Sequence, residues 1–63
     1  MDAIKRRRQE LGMSQAVLAR KLGITQIAVS NWENGKNCPK TTRLSDVADA
    51  LGCTVDELLR KEE

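Results

Sequence analysis

The sequence contains no histidine, tyrosine or phenylalanine, and its single tryptophan is Trp32. Histidine is the commonest general base and a frequent metal ligand, so its absence argues against most enzyme classes. No nucleophile–base pair and no phosphate-binding loop can be recognised along the chain. We therefore expect neither enzymatic activity nor a cofactor.

Cysteine and long apolar runs are also scarce. Cys38 and Cys53 are too few for a disulfide scaffold, and no CxxC pair accompanies them to indicate zinc. We expect two reduced thiols, with Cys53 half-buried and Cys38 in a loop. No segment approaches the roughly 20 apolar residues that span a bilayer, and no apolar run follows the basic N-terminus. The sequence thus predicts a cytoplasmic protein without a metal site or membrane contact.

What the chain does contain is charge, and it is unevenly distributed. The 63 residues have room for one domain, 1–63. Residues 1–43 carry nine Lys or Arg and three Asp or Glu, whereas residues 44–63 carry two and six. The formal charges, +6 and −4, sum to the +2 of the whole chain. This asymmetry suggests an anionic polymer as partner, although charge alone is explained more simply by solvation of helices.

Glycines and capping residues divide the chain into five predicted helices, with no strand-like alternation. Their caps are Asp2, Ser14, Thr25, Thr41 or Thr42, and Thr54. The helices are predicted to end at Leu11, Leu22, Asn34, Leu51 and about Arg60. Two apolar stripes support the helical spacing: Val17, Leu18 and Leu22, and then Leu44, Val47, Ala48 and Leu51.

The segment from Gln15 to Asn34 meets the requirements of a helix-turn-helix, in which two helices cross steeply through a short turn. Its fifth position must be small and is Ala19, and its ninth must allow a left-handed backbone and is Gly23. Five further positions must be apolar to fill the angle between the helices. They are Leu18, Leu22, Ile24, Val29 and Trp32. Seven constraints met at fixed spacing are a strong indication of this motif.

Residues 13–36, MSQAVLARKLGITQIAVSNWENGK, and residues 51–59, LGCTVDELL, resemble the phage-repressor and Cro-like (XRE-type) family of helix-turn-helix regulators. The resemblance extends over nearly the whole chain. It implies an all-α, compact five-helix, lambda-repressor-like DNA-binding domain. It also implies a role in transcriptional regulation, usually repression.

The third helix would be the recognition helix. With Val29 and Trp32 facing inward, its opposite face presents the predicted base contacts Gln26, Ile27, Ser30 and Asn31. Gln and Asn can bond bidentately to adenine, and isoleucine can contact a thymine methyl group. The resemblance implies base contacts for Gln26, Ile27 and Asn31, whereas the shorter Ser30 could contact a phosphate instead. The alternative is that Gln26 and Asn31 are ordinary exposed polar residues.

The predicted phosphate contacts are Gln15, Asn34, Lys36 and Lys40. Gln15 begins the second helix, where free amide groups favour an anion, and the resemblance implies that it also braces the recognition helix. Arg20 and Lys21 are either further contacts or solvated charges. Cys38 departs from the commonest family pattern, in which this loop position carries a polar or basic residue.

A structural ion pair is predicted between Arg8 and Glu33. Arg8 lies on the inward stripe of the first helix with Ile4 and Leu11, so it requires a partner, and the resemblance implies Glu33. The other basic residues of the run 5–8 point in different directions and cannot all contact one surface.

The predicted partner is double-stranded DNA. Because one recognition helix contacts only about three to five base pairs, we expect two copies of the chain to bind a palindromic operator. A weak homodimer through the acidic C-terminal end is expected. Its candidate contacts are Val55, Leu58 and Leu59, of which at least one must close the domain's own core. Two alternatives are an antitoxin that also binds its own promoter and a helix-turn-helix used only for protein contact.

Overall fold

The computed structural model describes residues 1–60, and residues 61–63 lie outside the described part. It contains five helices: α1 Asp2–Glu10, α2 Gln15–Leu22, α3 Gln26–Glu33, α4 Thr41–Leu51 and α5 Val55–Leu59. No strand occurs within residues 1–60. The predicted all-α, five-helix fold is confirmed, and every predicted helix end lies within one residue of the observed one. None of the described helices is long and apolar enough to cross a membrane.

Three helices begin with hydroxyl caps, as predicted. The side-chain oxygens of Ser14, Thr25 and Thr54 accept hydrogen bonds from backbone N–H groups three residues ahead, at 3.1, 3.2 and 3.2 Å. Each bond satisfies a donor that the helix itself leaves free. The starts of α2, α3 and α5 are therefore encoded locally.

The predicted caps of the other two helices are wrong by one or two residues. Met1, not Asp2, is the N-cap of α1, and Lys40, not Thr41 or Thr42, is the N-cap of α4. Neither cap residue makes a side-chain capping bond. Helix α4 begins early because the Lys40 carbonyl already accepts from the N–H groups of Arg43 and Leu44, at 2.8 and 3.0 Å.

The core lies where the first four helices meet. Its fully buried side chains are Ile4 from α1, Leu18 from α2, Val29 from α3, and Val47 and Leu51 from α4. Leu58 of α5 covers this core and is only 3% exposed. Val17 departs from its predicted stripe and is exposed.

Gly23 makes the turn between α2 and α3 possible. Its φ of 69° is left-handed, a conformation that other residues adopt only with strain. The Gly23 N–H donates to the Arg20 carbonyl at 3.2 Å, and the Ile24 N–H donates to the Ala19 carbonyl at 3.0 Å. The chain therefore changes direction within three residues, and α3 packs against α2 along an extensive contact.

Candidate nucleic-acid interface

Helix α3 has one buried face and one open face. Val29, Trp32 and Glu33 point into the domain and are at most 7% exposed. Successive residues of a helix are rotated by about 100°, so Ile27, Ser30 and Asn31 lie on the side away from Val29 and Trp32. Gln26 lies at the edge of that side, in line with Glu33 one heptad later. Gln26 and Ile27 are exposed, and Ser30 and Asn31 are half-buried. All four predicted base-contacting residues therefore lie on one side of one helix.

Ile27 is the most exposed large apolar side chain among residues 1–60, at 72%. Neighbouring surface positions carry amide and hydroxyl groups, so the face combines hydrogen-bonding groups with a methyl-bearing side chain. This mixture matches the edges of base pairs in the major groove, where adenine offers a donor and an acceptor and thymine a methyl group.

Gln15 and Gln26 bring the first turns of α2 and α3 together. The Gln26 Nε2 donates to the Gln15 Oε1 at 3.5 Å, and the Gln15 Nε2 donates to the Glu33 Oε1 at 3.0 Å. Gln15 is half-buried, so its side chain lies partly below the surface that Gln26 presents. The predicted phosphate contact at Gln15 is thus joined to the predicted base contact at Gln26.

The buried carboxylate of Glu33 is shared by three helices. Arg8 of α1 donates to it twice, from Nε to Oε2 at 2.7 Å and from Nη2 to Oε1 at 3.0 Å. The remaining Arg8 nitrogen, Nη1, donates to the Met13 carbonyl at 2.8 Å. The predicted partners Arg8 and Glu33 are therefore in bidentate contact, with side chains 11% and 2% exposed.

Burial and hydrogen bonding have opposite effects on the ionisation of this pair, and the net effect favours the charged form of both groups. Burial alone would raise the pKa of Glu33, but hydrogen bonds from Arg8 and Gln15 and the charges of Arg8 and Lys5 lower it below its usual value. The hydrogen bond to Glu33 raises the pKa of Arg8 despite its burial. Both groups are charged at neutral pH, so Glu33 acts only as a hydrogen-bond acceptor.

The remaining predicted phosphate contacts lie at the other end of α3. The Asn34 Nδ2 donates to the Ser30 Oγ at 3.3 Å, which links a predicted phosphate contact to a predicted base contact. Lys36 and Lys40 are exposed in the segment that joins α3 to α4, as are Arg20 and Lys21 on α2. Cys38 lies in the same segment as an exposed, free thiol.

Two arginines hold helix ends in a way that the sequence analysis missed. The Arg43 Nη1 donates to the Leu22 carbonyl at 3.1 Å. The Arg7 Nε donates to the Leu51 carbonyl at 2.9 Å, and its Nη2 donates to the Gly52 carbonyl at 3.3 Å. Both contacts could have been anticipated in part, because the last carbonyls of a helix lack partners within it and attract a cation, and Gly23 and Gly52 mark two such helix ends. Which cation reaches them depends on how α1 and α4 pack.

Metal chemistry has no visible support in the described residues. No three His, Cys, Asp or Glu side chains within residues 1–60 are grouped closely enough to hold an ion. Cys53 is half-buried, and burial raises the pKa of its thiol, with the charge of Glu57 adding to the effect. A protonated thiol is a poor nucleophile and a poor metal ligand.

Comparison with curated proteins finds relatives whose names describe different activities. The chain is 34% identical over 59 residues to "Repressor protein C2" of Salmonella phage P22, covering 94% of this chain and 27% of that protein. It is 32% identical over 62 residues to "HTH-type transcriptional activator BcrR" of Enterococcus faecalis, covering 98% and 30%. It is 38% identical over 58 residues to "(S)-2-hydroxypropylphosphonic acid epoxidase" of Streptomyces wedmorensis, covering 90% and 29%.

The chain spans less than a third of the length of these three relatives. No solved structure matches it significantly. The family assignment therefore depends on the sequence comparison and on the helix arrangement described above. The family model described as "Helix-turn-helix" matches residues 4–58, which include the whole of α2, α3 and α4 and most of α1 and α5. The predicted resemblance is confirmed, and the chain belongs to the helix-turn-helix family of DNA-binding regulators.

Proposed function

We propose that this chain is a sequence-specific DNA-binding domain that places α3 in the major groove and represses transcription by occupying an operator. The observation that carries the proposal is the open face of α3. It presents Gln26, Ile27, Ser30 and Asn31 opposite a face that is buried in the core. A helix of this length fits the major groove, whose base edges offer partners for amide and methyl groups.

In this arrangement Gln26 and Asn31 bond to adenines, Ile27 contacts a thymine methyl group, and Ser30 contacts a base or a phosphate. Gln15, Asn34, Lys36 and Lys40 bind phosphates on either side of the groove. Phosphate contacts set the register of the protein on the duplex, and base contacts set its sequence preference. Arg43 is not assigned to phosphate, because its guanidinium already holds the Leu22 carbonyl.

Two copies of the domain bind a palindromic operator, since a single visit to the groove specifies too few base pairs to find one site among many. The centres of the half-sites then lie about 34 Å apart, roughly one turn of DNA. Exposure supports Leu59 as the contact between subunits: it is 57% exposed, whereas Leu58 closes the core and Val55 is half-buried. A contact centred on one leucine makes the free dimer weak.

Repression is the simplest outcome, because a bound domain blocks polymerase without any further activity. The relative from phage P22 is named a repressor, and the relative BcrR is named an activator. A promoter fusion separates the two, since repression predicts higher expression when the operator is mutated. The relatives' names do not favour the antitoxin alternative. A cytoplasmic location and the absence of catalytic activity in this domain follow from the same proposal.

The direct test is selection of bound sequences from a randomised DNA pool. We expect an inverted repeat, and we expect Gln26→Ala to lose about 1–3 kcal/mol on the selected site with relaxed preference at one base pair in each half. Lys36→Ala should weaken all sequences alike and flatten the dependence of affinity on salt, because it removes one phosphate contact per subunit. Arg60→Ala, which changes an exposed charge beyond α5, is the matched control and should leave the salt dependence unchanged. Binding that does not respond to salt would refute the proposal.

A further inference from the structure

Two hydrogen bonds in series connect Glu33 to Gln26 through Gln15, and the chemistry of Glu33 determines which group donates in each. A carboxylate has acceptors and no donor. Arg8 donates to both oxygens and keeps the buried carboxylate ionised, and its remaining nitrogen donates to the Met13 carbonyl. The group beside Gln15 is therefore a buried acceptor that cannot donate, whichever cation neutralises it.

Because its neighbour Glu33 can only accept, the Gln15 side chain is oriented with its NH2 group toward the carboxylate. Its Nε2 donates to the Glu33 Oε1 at 3.0 Å, which leaves its Oε1 pointing away from the carboxylate. The opposite orientation would set the amide oxygen against a carboxylate oxygen and is repulsive. The outward oxygen then accepts from the Gln26 Nε2 at 3.5 Å. The orientation of one amide is in this way passed to the next.

Gln26 is left with one free N–H and a free Oε1. Adenine presents an acceptor, N7, and a donor, the N6 amino group, so this pair of groups matches it. Guanine presents two acceptors, N7 and O6, and the Gln26 oxygen would then face O6 without a proton between them. A Gln26 amide turned the other way would present two N–H groups and match guanine.

We propose that Glu33 is a positioning residue for DNA specificity: by orienting Gln15 and, through it, Gln26, it makes the Gln26 contact select adenine over guanine. This inference rests on the proposed contact between Gln26 and a base. It assigns to a buried residue of the domain a preference that is expressed at its surface.

The test compares two operator duplexes that differ only in the base pair that Gln26 contacts, A·T in one and G·C in the other. That base pair is identified as the one whose preference Gln26→Ala relaxes. Affinities are measured by fluorescence anisotropy at a temperature at which circular dichroism shows each variant to be folded. The measured quantity is the ratio of the two affinities.

Glu33→Gln replaces the carboxylate with an amide that can present either an oxygen or an NH2 group to Gln15, so the direction is lost. We expect the preference for adenine to fall by roughly ten-fold. Gln15→Met leaves the Arg8–Glu33 pair in place and removes the intermediate amide, and it should lower the ratio similarly. It tests the proposal even if Glu33→Gln does not fold.

Arg8→Lys is the matched control for lost stability. It retains the charged carboxylate but loses the two-pronged contact, so we expect a lower melting temperature with the adenine preference retained. The base pair that depends on Asn31 should keep its preference in every variant. That second base pair is an internal control, because a general loss of DNA binding would affect both positions alike.

Two results would overturn the inference while leaving the base contact intact. One is an unchanged adenine preference in folded Glu33→Gln and Gln15→Met. The other is an equal loss of preference in Arg8→Lys and Glu33→Gln, which would reduce the role of Glu33 to stability. If Gln26→Ala relaxes no base pair at all, the proposed base contact itself fails, and this inference fails with it.

Discussion

Two neighbouring arginines attach α1 to two different parts of the domain. Arg8 contacts the buried Glu33 of α3, and Arg7 contacts the backbone carbonyls of Leu51 and Gly52 at the end of α4. The Arg8 side chain is 11% exposed, whereas that of Arg7 is 35% exposed and also pairs with Glu10 on the surface. The two arginines should therefore contribute unequally to stability, because Arg8 neutralises a buried carboxylate whereas Arg7 binds backbone carbonyls near the surface.

The two parts also differ in what they leave open. Helix α3 exposes amides and Ile27 beside the polar network that starts at Arg8, whereas α5 exposes Leu59 beside the apolar contact of Leu58. Polar groups linked to a fixed charge suit recognition that depends on hydrogen-bond direction. A single exposed leucine suits contact without direction. The comparison favours DNA at the first surface and a second subunit at the other.

The largest expected effect is on the Arg8 side of this comparison. Arg8→Ala should lower the free energy of unfolding by about 3–5 kcal/mol, because it leaves Glu33 buried without a partner. Arg7→Ala should cost only about 1 kcal/mol, the typical value of a hydrogen bond or helix-end contact near the surface. Urea titration followed by circular dichroism measures both. Equal losses would show that burial of the Arg8 pair has little energetic consequence.

The pH dependence of stability should follow the same pair. Since the pKa of Glu33 is lower in the folded protein, the unfolded chain takes up the proton first as the pH falls. The contribution of Glu33 is complete above the unfolded value, about 4.3, and is lost as the pH falls through the folded value. Glu33→Gln should flatten the acid limb of a stability profile measured from pH 7 to pH 3. Glu57→Gln in α5 is the control, and an equally steep limb in both variants would contradict this assignment.

The caps allow a smaller, local comparison between the two parts. Thr25→Ala removes the hydroxyl that caps α3 and should cost about 1 kcal/mol of stability. Thr41→Ala changes an exposed residue one position after the N-cap of α4, Lys40, and should alter stability by less than about 0.5 kcal/mol. Thermal and urea unfolding would measure the difference. A larger loss for Thr41→Ala would mean that its hydroxyl caps α4 after all.

The smallest effect on folding is expected at the proposed subunit contact. Leu59→Ser changes a largely exposed side chain and should shift stability by less than about 0.5 kcal/mol. It should nevertheless reduce the joint occupancy of both half-sites on a selected operator, measured as stoichiometry in a gel-shift titration. Leu58→Ser, in contrast, should destabilise the fold itself by about 2 kcal/mol or more. Unchanged stoichiometry with Leu59→Ser would move the subunit contact elsewhere.

The sequence by itself determined the helices and the motif. Local hydrogen bonds from Ser14, Thr25 and Thr54, together with a left-handed Gly23, define helix ends without reference to the rest of the chain. The helical spacing of Val29 and Trp32 then defines which side of α3 is left open. These features depend on residues a few positions apart, so a pattern in the sequence is sufficient to predict them.

Only the tertiary structure decided which polar groups meet. That Gln15 lies between Glu33 and Gln26 depends on the crossing of α2 and α3, and that Arg7 and Arg43 reach helix ends depends on the packing of α1 and α4. Likewise, the angle at which α5 meets the core determines that Leu58 is buried and Leu59 is exposed. Such contacts join residues that are distant in the chain, and the direction of a long side chain is set by its neighbours in space.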